Sequence, residues 1–215
     1  MRKIIIALLL SLAISCSKKV YPIKENAEAI SEPFKKYFEN GILEVEGTTK
    51  NGIKIGVWKT YRKDETLFIV EHFNPYGQIN GEKKYFYENG GIWRTSHWKN
   101  GERLPNSKEI TYFRDGKKIQ NIEHFDKNGN SYKTEGYYSN GQLKILYTYN
   151  KGKKSSRKVY YENGQLDMSG VFINGKPHKE WIYYYENGQV MLHRVYNQGV
   201  LVSQTIYDEN GKIKN

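Results

Sequence analysis

The sequence predicts an all-β fold: an elongated, single-layer antiparallel sheet of successive β-hairpin repeats, about seven units. Three observations predict it. The first is a pair of interleaved glycine series. Gly41, Gly90, Gly116, Gly141, Gly164, Gly188 and Gly211 form one, and Gly52, Gly77, Gly101, Gly129, Gly152, Gly175 and Gly199 form the other. Successive members are 23 to 28 residues apart, apart from a double step of 49 between Gly41 and Gly90. The second is the flanking pattern: aromatics four and three residues before the first-series Gly, and an aliphatic two after it. The third is composition. Hydrophobic residues make up 38% of the chain, yet aromatics make up 14%, including 19 Tyr. Ordinary globular chains are about 45–50% apolar, and disordered ones are aromatic-poor. A thin sheet with many turns fits both facts better than a thick core.

At 215 residues the chain has room for one or two domains. Taken in order, the N-terminus reads as an address. Met1-Arg2-Lys3 is basic, and Ile4 to Ile14 is an apolar run broken only by Ser11. A basic start, a short apolar core and a small residue at the cleavage point make a secretory signal, assigned to residues 1–15. The run is too short to span a bilayer, which takes about 20 apolar residues. The only Cys of the chain, Cys16, sits at its end. Ala13-Ile14-Ser15-Cys16 resembles a bacterial lipobox, with Ala13 where Leu is usual. The resemblance implies a lipid attachment at Cys16, and so a membrane partner reached through a lipidated N-terminal Cys. Ser17 at the next position resembles the pattern sorted to an outer membrane, which implies an envelope protein anchored there and facing the periplasm. Residues 16–34, with Pro22 and Pro33 and little apolar periodicity, read as a polar tether. Residues 35–215 read as the repeat domain.

Within the repeats, Asn-Gly between strand-like runs predicts type I′ hairpin turns at the first series, with looser turns at the second. A two-residue turn would pair Phe38 with Leu43, Tyr87 with Ile92, Tyr138 with Leu143, Tyr161 with Leu166 and Tyr185 with Val190. That would make theirs the packed face. Alternation then sends Tyr37, Phe86, Tyr112, Tyr137, Tyr160, Tyr184 and Tyr207 to the opposite, wetter face. This ladder is the candidate binding site. Tyr offers large contact area at small entropic cost, which suits protein or glycan partners. A purely structural ladder that stiffens a thin sheet is the alternative. The unit between Gly41 and Gly90 is degenerate, with Lys63-Asp64-Glu65 in place of Glu-Asn-Gly.

The stretch from Tyr160 to Val190, Tyr-Tyr-Glu-Asn-Gly-Gln-Leu followed by Asn-Gly-Lys and Trp-Ile-Tyr-Tyr-Tyr-Glu-Asn-Gly-Gln-Val, resembles the bacterial variant of MORN repeats found in proteins labelled YwqK-family antitoxins. The resemblance runs from about Tyr37 to Asn215. It implies a sheet of successive hairpins. Its antitoxin label, on a lipid-anchored chain, would mean immunity against a toxin met in the envelope. Choline- and glucan-binding repeats are also aromatic hairpins, but with a period nearer twenty and paired Trp, whereas Trp58, Trp93, Trp98 and Trp181 are the only four here.

Other chemistry is expected to be missing. A single Cys excludes a disulfide scaffold and any zinc site needing two Cys from this chain. His72, His97 and His124 recur at one repeat position, but adjacent units stand about 9–10 Å apart, too far to share a metal. No serine-hydrolase elbow, His-Glu-x-x-His, phosphate loop or dinucleotide fingerprint is present. The expectation is a non-enzymatic protein with no cofactor. The formal charge of +11 falls to +9 once Arg2 and Lys3 are cleaved off. Its charges are spread along the chain, so nucleic acid is not expected as a partner. The partner expected is a protein.

Overall fold

The computed structural model describes residues 30–214. The predicted signal peptide, Cys16 and nearly all of the predicted tether lie outside the described residues. Sixteen strands follow one another: β1 (Ser31–Tyr37), β2 (Leu43–Lys50), β3 (Ile53–Tyr61), β4 (Leu67–Phe73), β5 (Gly81–Phe86), β6 (Ile92–Lys99), β7 (Glu102–Arg103), β8 (Lys108–Tyr112), β9 (Ile119–Phe125), β10 (Ser131–Tyr137), β11 (Leu143–Asn150), β12 (Lys153–Tyr160), β13 (Leu166–Ile173), β14 (Lys176–Tyr184), β15 (Val190–Asn197) and β16 (Val200–Ile206). They form one open antiparallel sheet in sequence order, with the two-residue β7 hanging off β6. No helix occurs among the described residues. The sheet starts at Ser31, four residues ahead of the expected domain boundary. Pro33 is tolerated in β1 because an outermost strand needs hydrogen bonds on one side only.

The turns reverse the expected assignment. At the first series, Phe38 N–H donates to Ile42 O (2.8 Å) and Gly41 N–H donates to Phe38 O (2.9 Å). The loop is therefore three residues, Glu39-Asn40-Gly41, and only Gly41 is left-handed (φ 82°). This is a type I turn closed by a left-handed Gly, which leaves a bulge. The Asn keeps right-handed backbone and instead caps the turn, as when Asn163 Oδ1 accepts the Gln165 N–H (2.9 Å). The two-residue I′ turns lie in the second series: Asn51-Gly52 (φ 52° and 77°), Asn100-Gly101, Lys151-Gly152, Asn174-Gly175 and Gln198-Gly199. A preceding Glu does not decide the loop length, because Ser139-Asn140-Gly141 and Lys127-Asn128-Gly129 also close three-residue loops. In the degenerate unit Glu65 takes the left-handed place of Gly (φ 67°).

The longer loop shifts every pairing by one. Leu43 faces Tyr37 rather than Phe38, Ile92 faces Phe86, Leu143 faces Tyr137, Leu166 faces Tyr160 and Val190 faces Tyr184. One residue of each return strand is skipped in the register, such as Lys144 in β11 and Asp167 in β13. The expected aromatic–aliphatic pairs thus form with the ladder residues themselves.

Register and alternation define the two faces. One row of direct partners runs from Lys36 and Val45 through Tyr85 and Arg94 to Ile145, Val159, Met168, Tyr183 and Leu192. Trp58 and Trp181, two residues before members of that row, share its face. Both are buried in a single layer, at 3% and 6% exposure, and glycine explains how. The Trp181 ring lies flat over Gly170, where a Cβ would come within 2.3 Å of it, and Trp58 lies over Gly47 in the same way. Phe172 and Tyr196 close on Trp181 edge-on, and Phe34 and Phe73 flank Trp58. Each Trp Nε1 donates to a backbone carbonyl, Val171 O for Trp181 and Thr48 O for Trp58. Aromatic rings laid across glycines thus do the work that a second layer does elsewhere.

Candidate functional site

The opposite face carries the predicted ladder. Tyr37, Phe86, Tyr112, Tyr137, Tyr160 and Tyr184 are the last residues of β1, β5, β8, β10, β12 and β14, and Tyr207 follows β16 and bridges Ile213. Two residues earlier on each strand stand Lys35, Lys84, Ile110, Glu135, Lys158, Ile182 and Thr205, which alternation puts on the same face. These are joined through Glu46, Val70, Thr95, Ile122, Leu146, Ser169 and His193 in an unbroken row of register partners. Tyr37 is exposed and the other six are half-buried. Tyr61, at the end of β3, is a ladder member that sequence reasoning missed. Its unit has no Gly to count back from. Tyr61 Oη donates to Glu46 Oε1 (2.7 Å). Burial, followed by the Glu46 carboxylate, pushes the Tyr61 phenol up to about 12. The same hydrogen bond holds the Glu46 carboxyl below its ordinary value.

Near the end of the sheet this face hollows into a groove of about 690 Å³, lined by Lys158, Ser169, Val171, Ile182, Val195 and Val202 among others. Four aliphatic side chains share its wall with charged and polar ones, Arg157, Lys158, Lys179 and Glu180 among them, and beside it His193 Nε2 lies 3.6 Å from Glu180 Oε1. In mid-sheet, His124 Nε2 lies 2.6 Å from Glu135 Oε2, and Lys133 Nζ lies 2.9 Å from Glu135 Oε1. Burial opposes the charge on Glu135, but these two partners outweigh it and hold its carboxyl below the usual range. Burial, with Glu135 nearby, raises the neighbouring Tyr137 phenol. Two of the recurrent histidines have separate partners. His72 Nδ1 lies 2.6 Å from Glu82 O, while His124 is held by Glu135. Among the described residues no three potential metal ligands converge.

The aromatics expected to make the packed face do something else. Each phenol at that position reaches along the turn edge to the next unit and donates to a main-chain carbonyl. Tyr87 Oη bonds Tyr112 O (2.8 Å), Tyr138 bonds Tyr160 O (2.9 Å), Tyr161 bonds Tyr184 O (2.6 Å) and Tyr185 bonds Tyr207 O (2.9 Å). Arg62 does the same to Phe86 O in the degenerate unit. Turn asparagines add a second row, as when Asn89 Nδ2 donates to Arg114 O (2.9 Å). Phe86, Tyr112, Tyr160, Tyr184 and Tyr207 of the ladder are therefore held through their backbones by the unit before them. The signal for these latches was present in the sequence. A half-buried phenol needs a hydrogen-bond acceptor, and the next unit is within its reach.

The sequence pattern of the MORN repeat variant matches the chain at residues 33–51, 79–100, 133–151, 156–174 and 177–198. No curated protein matches it. Among solved structures, it is similar to one described as "Crystal Structure of TcdB2-TccC3", at 11% identity and a TM-score of 0.23, over 81% of this chain and 13% of that one. It is also similar to "Crystal Structure of TcdB2-TccC3-Cdc42", at 13% identity and a TM-score of 0.19, over 86% of this chain and 13% of that one. This chain spans 13% of either, and similarity at that level carries no argument about fold or function.

Proposed function

We propose that this MORN repeat protein is a non-enzymatic binding scaffold, held at a bacterial envelope membrane by lipid on Cys16, that receives a protein partner on its ladder face. The observation that carries the reading is the periodic row of ladder side chains, from Tyr37 to Tyr207, on the same face as the groove. The other face is taken up by its own Trp-over-Gly packing. Volumes of about 300–1,000 Å³ are typical of sites that receive ligand side chains or small molecules, and Arg157, Lys158 and Lys179 on this wall suit an acidic group on the partner. A row of aromatics anchored through their backbones presents contact area with little ordering left to do on binding. Stable anchoring takes more than one acyl chain, which a lipidated, acylated Cys16 supplies.

Two measurements test this. Cys16→Ala should release the chain from the membrane fraction and abolish acyl labelling. Unchanged fractionation would remove the anchor. A photocrosslinking residue at Ile182, on the ladder face, should capture the partner in native envelopes. The same probe at Leu192, on the tryptophan face, should not. Capture from Leu192 alone would overturn the choice of face. A captured toxin would make the scaffold an immunity protein, and retention on peptidoglycan without protein capture would turn the reading to glycan.

A further inference from the structure

The two units that lay a Trp over a Gly align residue for residue, and each has a hollow on the ladder face at that Gly. In the Trp58 unit the hollow is small, about 230 Å³. A row of charges crosses it: Lys35 of β1 faces Glu46 of β2, which faces Lys59 of β3. Lys59 Nζ lies 3.4 Å from Glu46 Oε1, and Tyr61 Oη donates to the same oxygen at 2.7 Å. Here the chain supplies its own carboxylate to the lysines and the phenol. In the Trp181 unit the same register positions hold Lys158, Ser169 and Ile182, with Tyr184 in the place of Tyr61. Ser169 replaces the acid and Ile182 replaces one of the cations. Lys158 keeps its place but makes no ion pair among the described residues. The one acid on this wall, Glu180, has His193 as its partner instead. The hollow widens to about 690 Å³, and Val171, Val195 and Val202 add aliphatic surface to that of Ile182.

We infer that the partner supplies the missing carboxylate: this groove receives an extended segment of the partner protein in which an Asp or Glu is flanked by aliphatic side chains. The carboxylate takes the place that Glu46 fills in the other unit, within reach of Lys158, where a charge-assisted hydrogen bond replaces the one made inside the chain there. The flanking side chains cover Val171, Ile182, Val195 and Val202. Charge fixes which segment is accepted and the aliphatic surface supplies area to bury. The inference rests on the protein-binding reading of the ladder face and adds what that face selects.

The test uses the full chain in detergent micelles and two fluorescein-labelled peptides with blocked ends, Gly-Leu-Glu-Leu-Gly and Gly-Leu-Gln-Leu-Gly. Fluorescence anisotropy should give a dissociation constant at least ten-fold lower for the acidic peptide. Ser169→Glu provides the carboxylate from within, as Glu46 does, and should abolish that preference. Lys158→Gln should abolish it too, while Lys108→Gln, on the same face but outside the groove, should leave it intact. Urea unfolding checks that each variant is folded. Equal affinity for the two peptides, a preference that survives Ser169→Glu or Lys158→Gln, or one that Lys108→Gln removes as well, would each overturn the inference. Crosslinking from Ile182 tests the scaffold reading separately: partner capture there, alongside equal affinity for the two peptides, would sink the acidic segment and spare the scaffold.

Discussion

The sheet between residues 133 and 198 and the sheet between residues 101 and 132 hold together by different means. In the first stretch three repeats run without interruption. Trp181 lies over Gly170, Tyr138, Tyr161 and Tyr185 latch unit to unit, and past the Glu135 cluster in its first strand the one charge pair among the described residues, His193 with Glu180, is loose. The second stretch contains no match to the repeat pattern. Its turn runs a residue longer, from Phe113 to Lys118, and Phe113 has no hydroxyl to latch the next unit. Only Arg94↔Thr111 and Thr95↔Ile110 join β6 to β8. Charge fills the gap. Glu109 sits between Arg94 (3.6 Å) and Arg103 (2.9 Å), and the Arg103 guanidinium lies 4.1 Å over the buried Phe125 ring. From β11 to β15 neutral groups hold the sheet. Where insertions break the repeat, half-buried ion pairs take over, and these depend on salt and pH.

Removing the aromatic lid should have the largest effect. Trp181→Ala is expected to lose about 3–5 kcal/mol in urea unfolding, as large-to-small core changes do. Hydrogen exchange should rise in β13 to β15 and not in β8 to β10, because repeats couple mainly to their neighbours. Equal rises in both regions would break the comparison. Glu109→Gln comes next. It strands two guanidiniums, and with side chains this accessible the loss should be about 1–2 kcal/mol at low salt. One molar salt should shrink the difference, since the Debye length there is about 3 Å. Trp181→Ala should be indifferent to salt.

Acid should separate β9 and β10 from β13 to β15. Glu135 has its carboxyl lowered in the folded chain. The stability it contributes is fully present above the ordinary Glu value of about 4.3 and is lost as pH falls from there through the folded value. Exchange around β9 and β10 should therefore accelerate below pH 4.3 before that of β13 to β15, and Glu135→Gln should flatten this dependence. Single latches are smaller. Tyr161→Phe should cost about 0.5–1.5 kcal/mol, the net worth of one hydrogen bond. Smallest, and of opposite sign, Glu65→Gly should add about 0.5–1 kcal/mol by relieving a left-handed Glu, read as a rise in melting temperature.

The overall architecture was legible in the sequence because turn chemistry is local. Glycines at a fixed period marked every hairpin but one, and at Glu65 the rule failed because the backbone bears the strain instead. Turn type was not legible from Asn-Gly alone, since the same dipeptide closes a two-residue loop after Lys50 and a three-residue loop after Phe38. The residue before the dipeptide did not carry it either, since Lys precedes a two-residue loop at Asn100-Gly101 and a three-residue loop at Asn128-Gly129. The ladder residues share one face, with Tyr61 missed, but their partners came out one residue off because a bulge follows from the longer loop. The Trp lids left a readable trace, a Gly eleven residues before Trp in both Gly47–Trp58 and Gly170–Trp181. The Glu109 and Glu135 clusters left none. They join β6, β7 and β8, or β9 and β10, at positions that depend on how the insertions fold.

The latches have one more property. Every acceptor is a main-chain carbonyl, so a donor from one unit reads the position of the next and not its identity. Tyr112, Tyr160, Tyr184, Tyr207 and Phe86 all serve equally, and Arg62 can replace a phenol as donor. The joint is thus a grammar without a vocabulary. A unit of some 23 residues could be copied, lost or exchanged and the joints on either side would still close. The length of the binding surface can change without any joint being redesigned.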